Sequence, residues 1–157
     1  DAIHRLLRPL PVETRERILS QIHRWAGCPE DEREVPRPLN PEEVVALADG
    51  GLIEVGAHTV THPVLAEQPE EVQRWEIEQS KRDLEAILGG PVRSFSYPYG
   101  EDADVDDSTR RMVKEAGFSL ACSTVLDVVR ADADPYWLPR FTVWDWDGDQ
   151  FAKLLYI

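Results

Sequence analysis

The stretch LIEVGAHTVTHP, residues 52–63, joins an apolar run directly to two histidines. Its first half, residues 52–57, has the length and apolar character of a strand buried in a parallel sheet. His58 and His62 follow at the end of that strand, four positions apart, so a helical turn would place both imidazoles on one side. Ligand sites of parallel α/β sheets lie beyond the carboxyl ends of the strands. The stretch therefore predicts a parallel sheet with a binding site at its edge.

The flanking sequence alternates between helical and strand patterns. Helices are predicted at residues 11–25, 69–88, 108–116 and 149–155, and strands at 52–57, 92–97, 119–123, 128–130 and 140–143. Asn40 and Pro41 start a further short helix, which ends at Gly50 and Gly51. The helix over 69–88 is expected to turn its glutamates to solvent and to bury an apolar face made of Val72, Ile77, Leu84, Ile87 and Leu88. Helices that alternate with single strands predict crossover units and a mainly parallel sheet.

Length and charge narrow the function classes. The 157 residues suffice for one compact domain, and 17 Lys and Arg against 30 Asp and Glu give a net charge of −13. This balance argues against nucleic-acid binding, which needs a basic face, and against a polybasic membrane anchor.

No apolar run is long enough for a membrane span, and no signal peptide is visible, so cytoplasmic and cell-envelope locations both stay open. Cys28 and Cys122 are expected to be reduced, and the proline-rich stretch 29–41 to form either an extended linker or a loop held against a surface.

The two histidines are candidate metal ligands. Imidazole nitrogens suit zinc and other late divalent metals, and two rings on one turn can reach the same ion. The alternative is a pair of surface loop histidines with helix-capping threonines, because the sequence shows no third ligand beside them.

A second candidate segment, SFSYPYG at residues 94–100, also begins in a predicted strand and breaks at its carboxyl end. Pro98 and Gly100 predict a tight turn that aims backbone N–H groups outward, as an oxyanion site requires. The alternative is an ordinary strand-ending turn with two packed tyrosines. Further along, Trp144 and Trp146 fit either stacking on sugar rings or alternate packing against a core, and the aspartates around them favour a helix cap over a calcium loop.

Taken in order, the strand with HTVTHP, the long helix and the strand with SYPYG resemble the polysaccharide deacetylase family, the NodB-homology domain. The two motifs lie about 35 residues apart, as in the family, and Leu138-Pro139-Arg140 also fits the family pattern near the end of the chain. The resemblance covers roughly residues 40–155. The resemblance implies an α/β fold, a distorted (β/α) barrel of the glycoside hydrolase and deacetylase type. It also implies an enzyme that removes acetyl groups from an acetylated oligo- or polysaccharide.

The resemblance further implies roles for four residues. His58 and His62 match the two family histidines that hold a divalent metal, commonly zinc, together with one aspartate. Tyr99 matches the residue whose backbone N–H helps to hold the oxyanion. Arg140 would supply a positive charge from a later strand, and its alternative role is an ordinary salt bridge at a strand end. In such enzymes the metal activates water and polarises the acetyl carbonyl.

Two family motifs have no counterpart in this chain. The TFDDG-type motif, which supplies the catalytic base and the metal-binding aspartate, does not occur before His58, and no histidine follows His62 to form the LxH motif. The usual family arginine, three residues before Tyr99, is replaced by Ser96. We therefore expect one partial domain over 1–157, incomplete at its N-terminus, with the third metal ligand upstream. Its parts would be a helical leader with the proline-rich loop, 1–38, and a deacetylase-like core, 39–157.

Two functions are consistent with this sequence. The first is a metal-dependent carbohydrate de-N-acetylase, of which this chain alone is inactive because it lacks the base. The alternative is a degenerate, non-catalytic module that binds glycan or protein. An incomplete barrel would also expose unpaired strand edges, which favour self-association.

Overall fold

The computed structural model describes residues 2–27 and 37–154. In these ranges the chain forms helices α1 (Ala2–Leu7), α2 (Val12–Ala26), α3 (Pro41–Ala48), α4 (Glu70–Leu88), α5 (Asp107–Glu115) and α6 (Gly148–Leu154), a 3₁₀ turn (Leu65–Glu67), and strands β1 (Ser94–Ser96) and β2 (Leu120–Cys122). The predicted helices are all present with ends that shift by about one residue, whereas α1 was not predicted. Cys28, position 155 and most of the predicted linker lie outside the described residues. None of the described helices is both long and apolar enough to cross a membrane.

Local sequence sets where the helices begin and end. Asn40 caps α3, since its Oδ1 accepts a hydrogen bond from the Glu43 N–H at 2.8 Å and its own N–H donates to Glu43 Oε2 at 2.9 Å. Pro41 occupies the first turn, where its missing N–H costs nothing. Gly27 and Gly89 end α2 and α4 with φ of 64° and 67°, in the left-handed region that glycine adopts readily. Because these signals are local, the sequence could predict the helices.

Parallel pairing brings four segments side by side in chain order. β1 pairs with β2 in parallel, with Phe95 opposite Ala121. Ala57 forms a parallel bridge to Phe95, and Leu138 forms a parallel bridge to Cys122. Helix α4 connects the first of these segments to β1, and α5 connects β1 to β2. Because all four segments run in the same direction, their carboxyl ends meet at one edge of the sheet.

Three of the predicted strands are wrong. Residues 52–57 do not form a buried strand, because Leu52 is 97% exposed and the segment pairs with β1 through the single bridge at Ala57. Residues 128–130 and 140–143, both within the described part of the chain, form no strand either. A strand needs a hydrogen-bonding neighbour as well as an apolar pattern, and the pattern alone cannot show whether that neighbour exists.

The core lies between the sheet and helices α4 and α5. Its fully buried centre includes Ile77, Phe95, Tyr97, Met112, Val113 and Ala121. The Tyr97 hydroxyl donates a hydrogen bond to the Tyr136 carbonyl at 2.8 Å, and burial raises the pKa of this phenol well above its usual range. Tyr97 therefore stays protonated, and its ring packs in the core directly after β1.

Helix α4 buries a partly different face from the predicted one. Of the predicted apolar residues, Ile77 is fully buried and Leu84 and Leu88 pack against the core margin. The remaining buried positions on this helix are polar, namely Gln73, Glu76 and Ser80. An apolar pattern cannot find such residues, although their spacing of three and four places them on the inner face of the helix.

Candidate active site at the carboxyl edge of the sheet

Hydrogen bonds join the loops that follow the parallel segments. We call residues 58–63 the histidine loop and residues 97–100 the tyrosine turn. Thr124, just after β2, donates from its N–H to Gly100 O at 2.9 Å and from its hydroxyl to Tyr99 O at 2.6 Å. The tyrosine turn is therefore connected to the loop that follows β2.

The histidine loop directs its two imidazoles toward each other. The ring centroids of His58 and His62 lie 4.8 Å apart, and the ring planes meet at 76°. His58 Nδ1 lies 2.6 Å from Ser96 O, and this nitrogen carries the proton because a carbonyl oxygen can only accept. In the neutral ring, this hydrogen bond leaves the lone pair on Nε2, the nitrogen that could then bind a metal ion.

Left-handed backbone, rather than a helical turn, brings the rings together. Thr59 has a φ of 64° and His62 a φ of 58°, in a region that residues other than glycine avoid. The segment makes no helical turn, yet the two rings lie together as a helical turn would have placed them. Each left-handed residue costs about 1–2 kcal/mol, which contacts around the loop must offset.

The surroundings of His62 favour its neutral form. Partial burial lowers the pKa of His62 below its ordinary value of 6.5, and repulsion from a charged His58 lowers it further. Near pH 7 the ring is therefore mostly neutral. This matters because only a neutral imidazole has a lone pair available for a metal ion.

A buried carboxylate from α4 holds the histidine loop from within. Glu76, which is 2% exposed, accepts hydrogen bonds from the Val60 N–H at 2.6 Å, the Thr61 N–H at 2.9 Å and the Thr61 hydroxyl. Arg15 of α2 donates to Thr61 O at 2.7 Å. Hydrogen bonds to charged groups contribute about 1.5–3 kcal/mol each, enough to offset the left-handed residues of the loop. The expectation that the α4 glutamates face solvent is thus wrong for Glu76.

The tyrosine turn is held by backbone geometry. Tyr99 has a φ of 61° and Gly100 a φ of 73°. A Cβ at Gly100 would lie 3.0 Å from Thr124 N, so this position needs glycine for its conformation and for the close approach. The Tyr99 ring packs against His62, with 4.9 Å between ring centroids. The predicted tight turn is present, and it brings Tyr99 beside the histidine pair.

Arg8, from the N-terminal helical leader, packs its guanidinium group over the ring of Tyr99. The Arg8 guanidinium carbon is 4.2 Å from the centre of the Tyr99 ring, and Arg8 forms an ion pair with Asp104, which is 3% exposed. The Glu101 N–H donates to Asp104 Oδ2 at 3.0 Å. Arg8 and Asp104 could not be selected from the sequence, because neither residue belongs to a recognisable motif.

Arg140 lies at the same edge, in a loop rather than in the predicted strand. Its side chain is exposed, and Nε donates to Ser123 O at 2.6 Å. Its backbone N–H donates to Val125 O at 2.9 Å. A positive charge is therefore present beside the loop that follows β2.

At this edge of the sheet, the side chains of the described residues that could bind a metal ion are the imidazoles of His58 and His62. Residues 2–27 and 37–154 contain no group of three or more His, Cys, Asp or Glu side chains suited to holding one. Zinc sites use three or four protein ligands. The histidine pair can therefore supply part of a metal site.

Comparison with protein families shows the relationship of the chain. The family model for polysaccharide deacetylase matches residues 13–121, from α2 into β2. The chain belongs to the polysaccharide deacetylase family. A search of curated proteins gives no significant match to this deacetylase-family chain.

Solved deacetylase structures share the fold of this family member. BC0361 from Bacillus cereus, a polysaccharide deacetylase, is 26% identical, with a TM-score of 0.65 over 78% of this chain and 38% of its own. IcaB from Ammonifex degensii is 25% identical, with a TM-score of 0.60 over 82% of this chain and 57% of its own. The Streptococcus pyogenes deacetylase PplD, in complex with acetate, is 26% identical, with a TM-score of 0.53 over 56% of this chain and 38% of its own. The chain spans less than two fifths of BC0361 and PplD, and its fold is an incomplete (β/α) barrel, as predicted.

Proposed function

We propose that the whole protein removes N-acetyl groups from an acetylated oligo- or polysaccharide, using a divalent metal, zinc, bound at His58 and His62. The observation that carries this proposal is the convergence of two imidazoles and the tyrosine turn at one edge of a parallel sheet. Membership of the polysaccharide deacetylase family supports it. The acetate in the S. pyogenes structure also supports it, because acetate is a product of this reaction.

The histidine pair has the chemistry that a zinc ion requires. The hydrogen bond from His58 Nδ1 to the Ser96 carbonyl leaves Nε2 available, and the lowered pKa of His62 keeps that ring neutral. When bound, such an ion lowers the pKa of a water molecule and polarises a carbonyl group. The third ligand, an aspartate in the family, is expected upstream of this chain.

Tyr99 and Arg140 have supporting roles in this proposal. The Tyr99 backbone N–H, oriented by its left-handed turn, donates to the acetyl oxygen as negative charge develops there. Arg140 places a positive charge at the same edge, where it favours the ionised form of a carboxylate base supplied from upstream. In this proposal the present chain binds the metal ion and stabilises the negative charge on the acetyl oxygen. The carboxylate base expected upstream removes the proton from water.

A second candidate function is a non-catalytic module that binds glycan or protein. It is favoured by the absence of a three-ligand group from the described residues and of a TFDDG-type motif from the chain. The coding sequence upstream of Asp1 separates the two functions. A TFDD-type motif there supports the enzyme, and its absence supports the module.

Acetate release from an acetylated chito-oligosaccharide tests the proposal. We expect this chain alone to be inactive and the whole protein to be active with added Zn²⁺. His58→Ala or His62→Ala in the whole protein should lower activity by at least about 100-fold, because each removes a metal ligand. His23→Ala, which removes an exposed histidine of α2, is the matched control and should leave activity unchanged. Full activity after replacement of both loop histidines would exclude the proposed site.

A further inference from the structure

Behind the histidine loop lies a buried carboxylate that the proposed chemistry does not use, that of Glu76. We propose that Glu76 is a positioning residue that sets the backbone of the histidine loop so that His58 and His62 face one ligand. This inference rests on the proposed function and adds a residue to it. Glu76 acts through the loop backbone and not on the substrate.

The hydrogen bonds of Glu76 fix the middle of the loop. Its Oε2 accepts from two consecutive N–H groups, those of Val60 and Thr61, and its Oε1 accepts from the Thr61 hydroxyl. Two neighbouring amides can point at one oxygen only in a narrow range of backbone conformations. These amides lie between the left-handed residues Thr59 and His62, so the carboxylate holds the segment that joins the two strained positions.

Burial makes these bonds persistent. Glu76 is 2% exposed, and the neighbouring Gln73, Ile77 and Ser80 on α4 are also buried. A carboxylate that lost its partners in this position would have no water to replace them, so the folded state strongly disfavours a released loop.

The other hydrogen bonds of the histidine loop do not involve the Val60 and Thr61 N–H groups. The Thr59 hydroxyl oxygen accepts from the His62 N–H at 3.1 Å, and Arg15 donates to the Thr61 carbonyl at 2.7 Å. Both contacts fix other atoms of the loop. Glu76 is therefore the anchor of the Val60 and Thr61 amides, and the ring pairing follows from the conformation it imposes.

Three substitutions separate the positioning role from general stability. Glu76→Ala removes the acceptor. Glu76→Gln keeps its shape, since the amide oxygen can accept from both N–H groups while the amide nitrogen donates to the Thr61 hydroxyl oxygen. Glu85→Ala is the matched control, because Glu85 lies on the same helix and accepts from the Val92 N–H at 3.1 Å, at the end of α4 away from the histidine loop.

Two measurements on this chain read out the effect. One is amide hydrogen exchange at Val60 and Thr61, and the other is Zn²⁺ affinity followed through the NMR signals of the His58 and His62 rings. We expect Glu76→Ala to speed exchange at both amides by at least about tenfold and to weaken Zn²⁺ binding by about 10–100-fold. Glu76→Gln should restore most of both properties, and Glu85→Ala should change neither. If Glu76→Ala does not fold, Thr61→Val removes a single hydrogen bond and should still speed exchange at the Thr61 amide.

Unchanged exchange and Zn²⁺ affinity in a folded Glu76→Ala chain would overturn the proposal, as would equal effects from Glu85→Ala. For a Glu76→Ala chain that does not fold, unchanged exchange in Thr61→Val would do the same. Failure of the proposed function is distinguishable from these results. If the wild-type rings do not respond to Zn²⁺, the metal site is refuted, whereas exchange at the two loop amides still decides the role of Glu76.

Discussion

The histidine loop and the tyrosine turn lie side by side, but different parts of the molecule hold them. The tyrosine turn depends on backbone conformation, with Gly100 in the left-handed region, and on hydrogen bonds from Thr124, which lies just after β2. The histidine loop depends on side chains from two helices, Glu76 of α4 and Arg15 of α2, which are 15 and 46 residues away from Thr61. The difference shows that residues at the edge of the sheet hold one half of the candidate site, whereas side chains from two helices hold the other half.

The largest effect is expected from Gly100→Ala in the tyrosine turn. An alanine there must adopt a φ of 73° and place its Cβ 3.0 Å from Thr124 N, so we expect the free energy of unfolding to fall by about 2–3 kcal/mol. Urea denaturation measures this change. The control is Gly90→Ala, where a Cβ meets no atom within 4 Å, and its effect should stay within about 0.5 kcal/mol. Similar losses for the two variants would contradict the account of the turn.

A smaller effect is expected from Thr124→Val, which keeps the shape but removes the hydroxyl bond to Tyr99 O. The loss of one hydrogen bond should lower the free energy of unfolding by about 1 kcal/mol. Because Glu76 holds the histidine loop separately, amide exchange at Val60 and Thr61 should not change. Faster exchange at these amides would show that the turn and the loop are not held independently.

This contrast explains which parts of the molecule the sequence could predict. The helices and the tyrosine turn follow from caps, glycine stops and a Pro-x-Gly pattern, all of which are properties of adjacent residues. The meeting of His58 and His62 with Tyr99 follows from the rule that parallel strands end at one edge. Such rules act over short distances or over whole sheets, and the predictions made from them agree with the structure.

The remaining errors come from contacts that neither kind of rule describes. Residues 52–57 look like a buried strand, but the segment pairs at Ala57 alone, and its apolar pattern could not reveal that. Glu76 looks like a surface glutamate, although its place beside Ile77 and between Gln73 and Ser80 puts it on the buried face of α4. Arg8 belongs to no sequence motif, and its contact with Tyr99 is visible only in the folded structure.

The smallest of the expected effects concerns the coupling of the two rings. His58→Ala removes a charge that repels a proton from His62, so the pKa of His62 should rise toward its ordinary value of 6.5 while burial still holds it below. An NMR titration of the ring checks this. A pKa that stays constant or falls would contradict the ring contact.

The same pKa shift predicts how stability depends on pH. Folded His62 takes up a proton less readily than the unfolded chain, so its contribution is constant above about pH 6.5 and the free energy of unfolding declines as pH falls below that value. The decline should be shallower in His58→Ala, as urea denaturation at several pH values would show. An equal or steeper decline would contradict this coupling.

A Zn²⁺ titration of this chain, followed through its histidine ring signals, tests most directly whether the two imidazoles form a common metal site. We expect the signals of His58 and His62 to change together along one binding curve, while His23 is unaffected and either single replacement weakens binding at least about tenfold. If His58 and His62 respond at different Zn²⁺ concentrations, or if neither responds, the two rings do not share a metal ion.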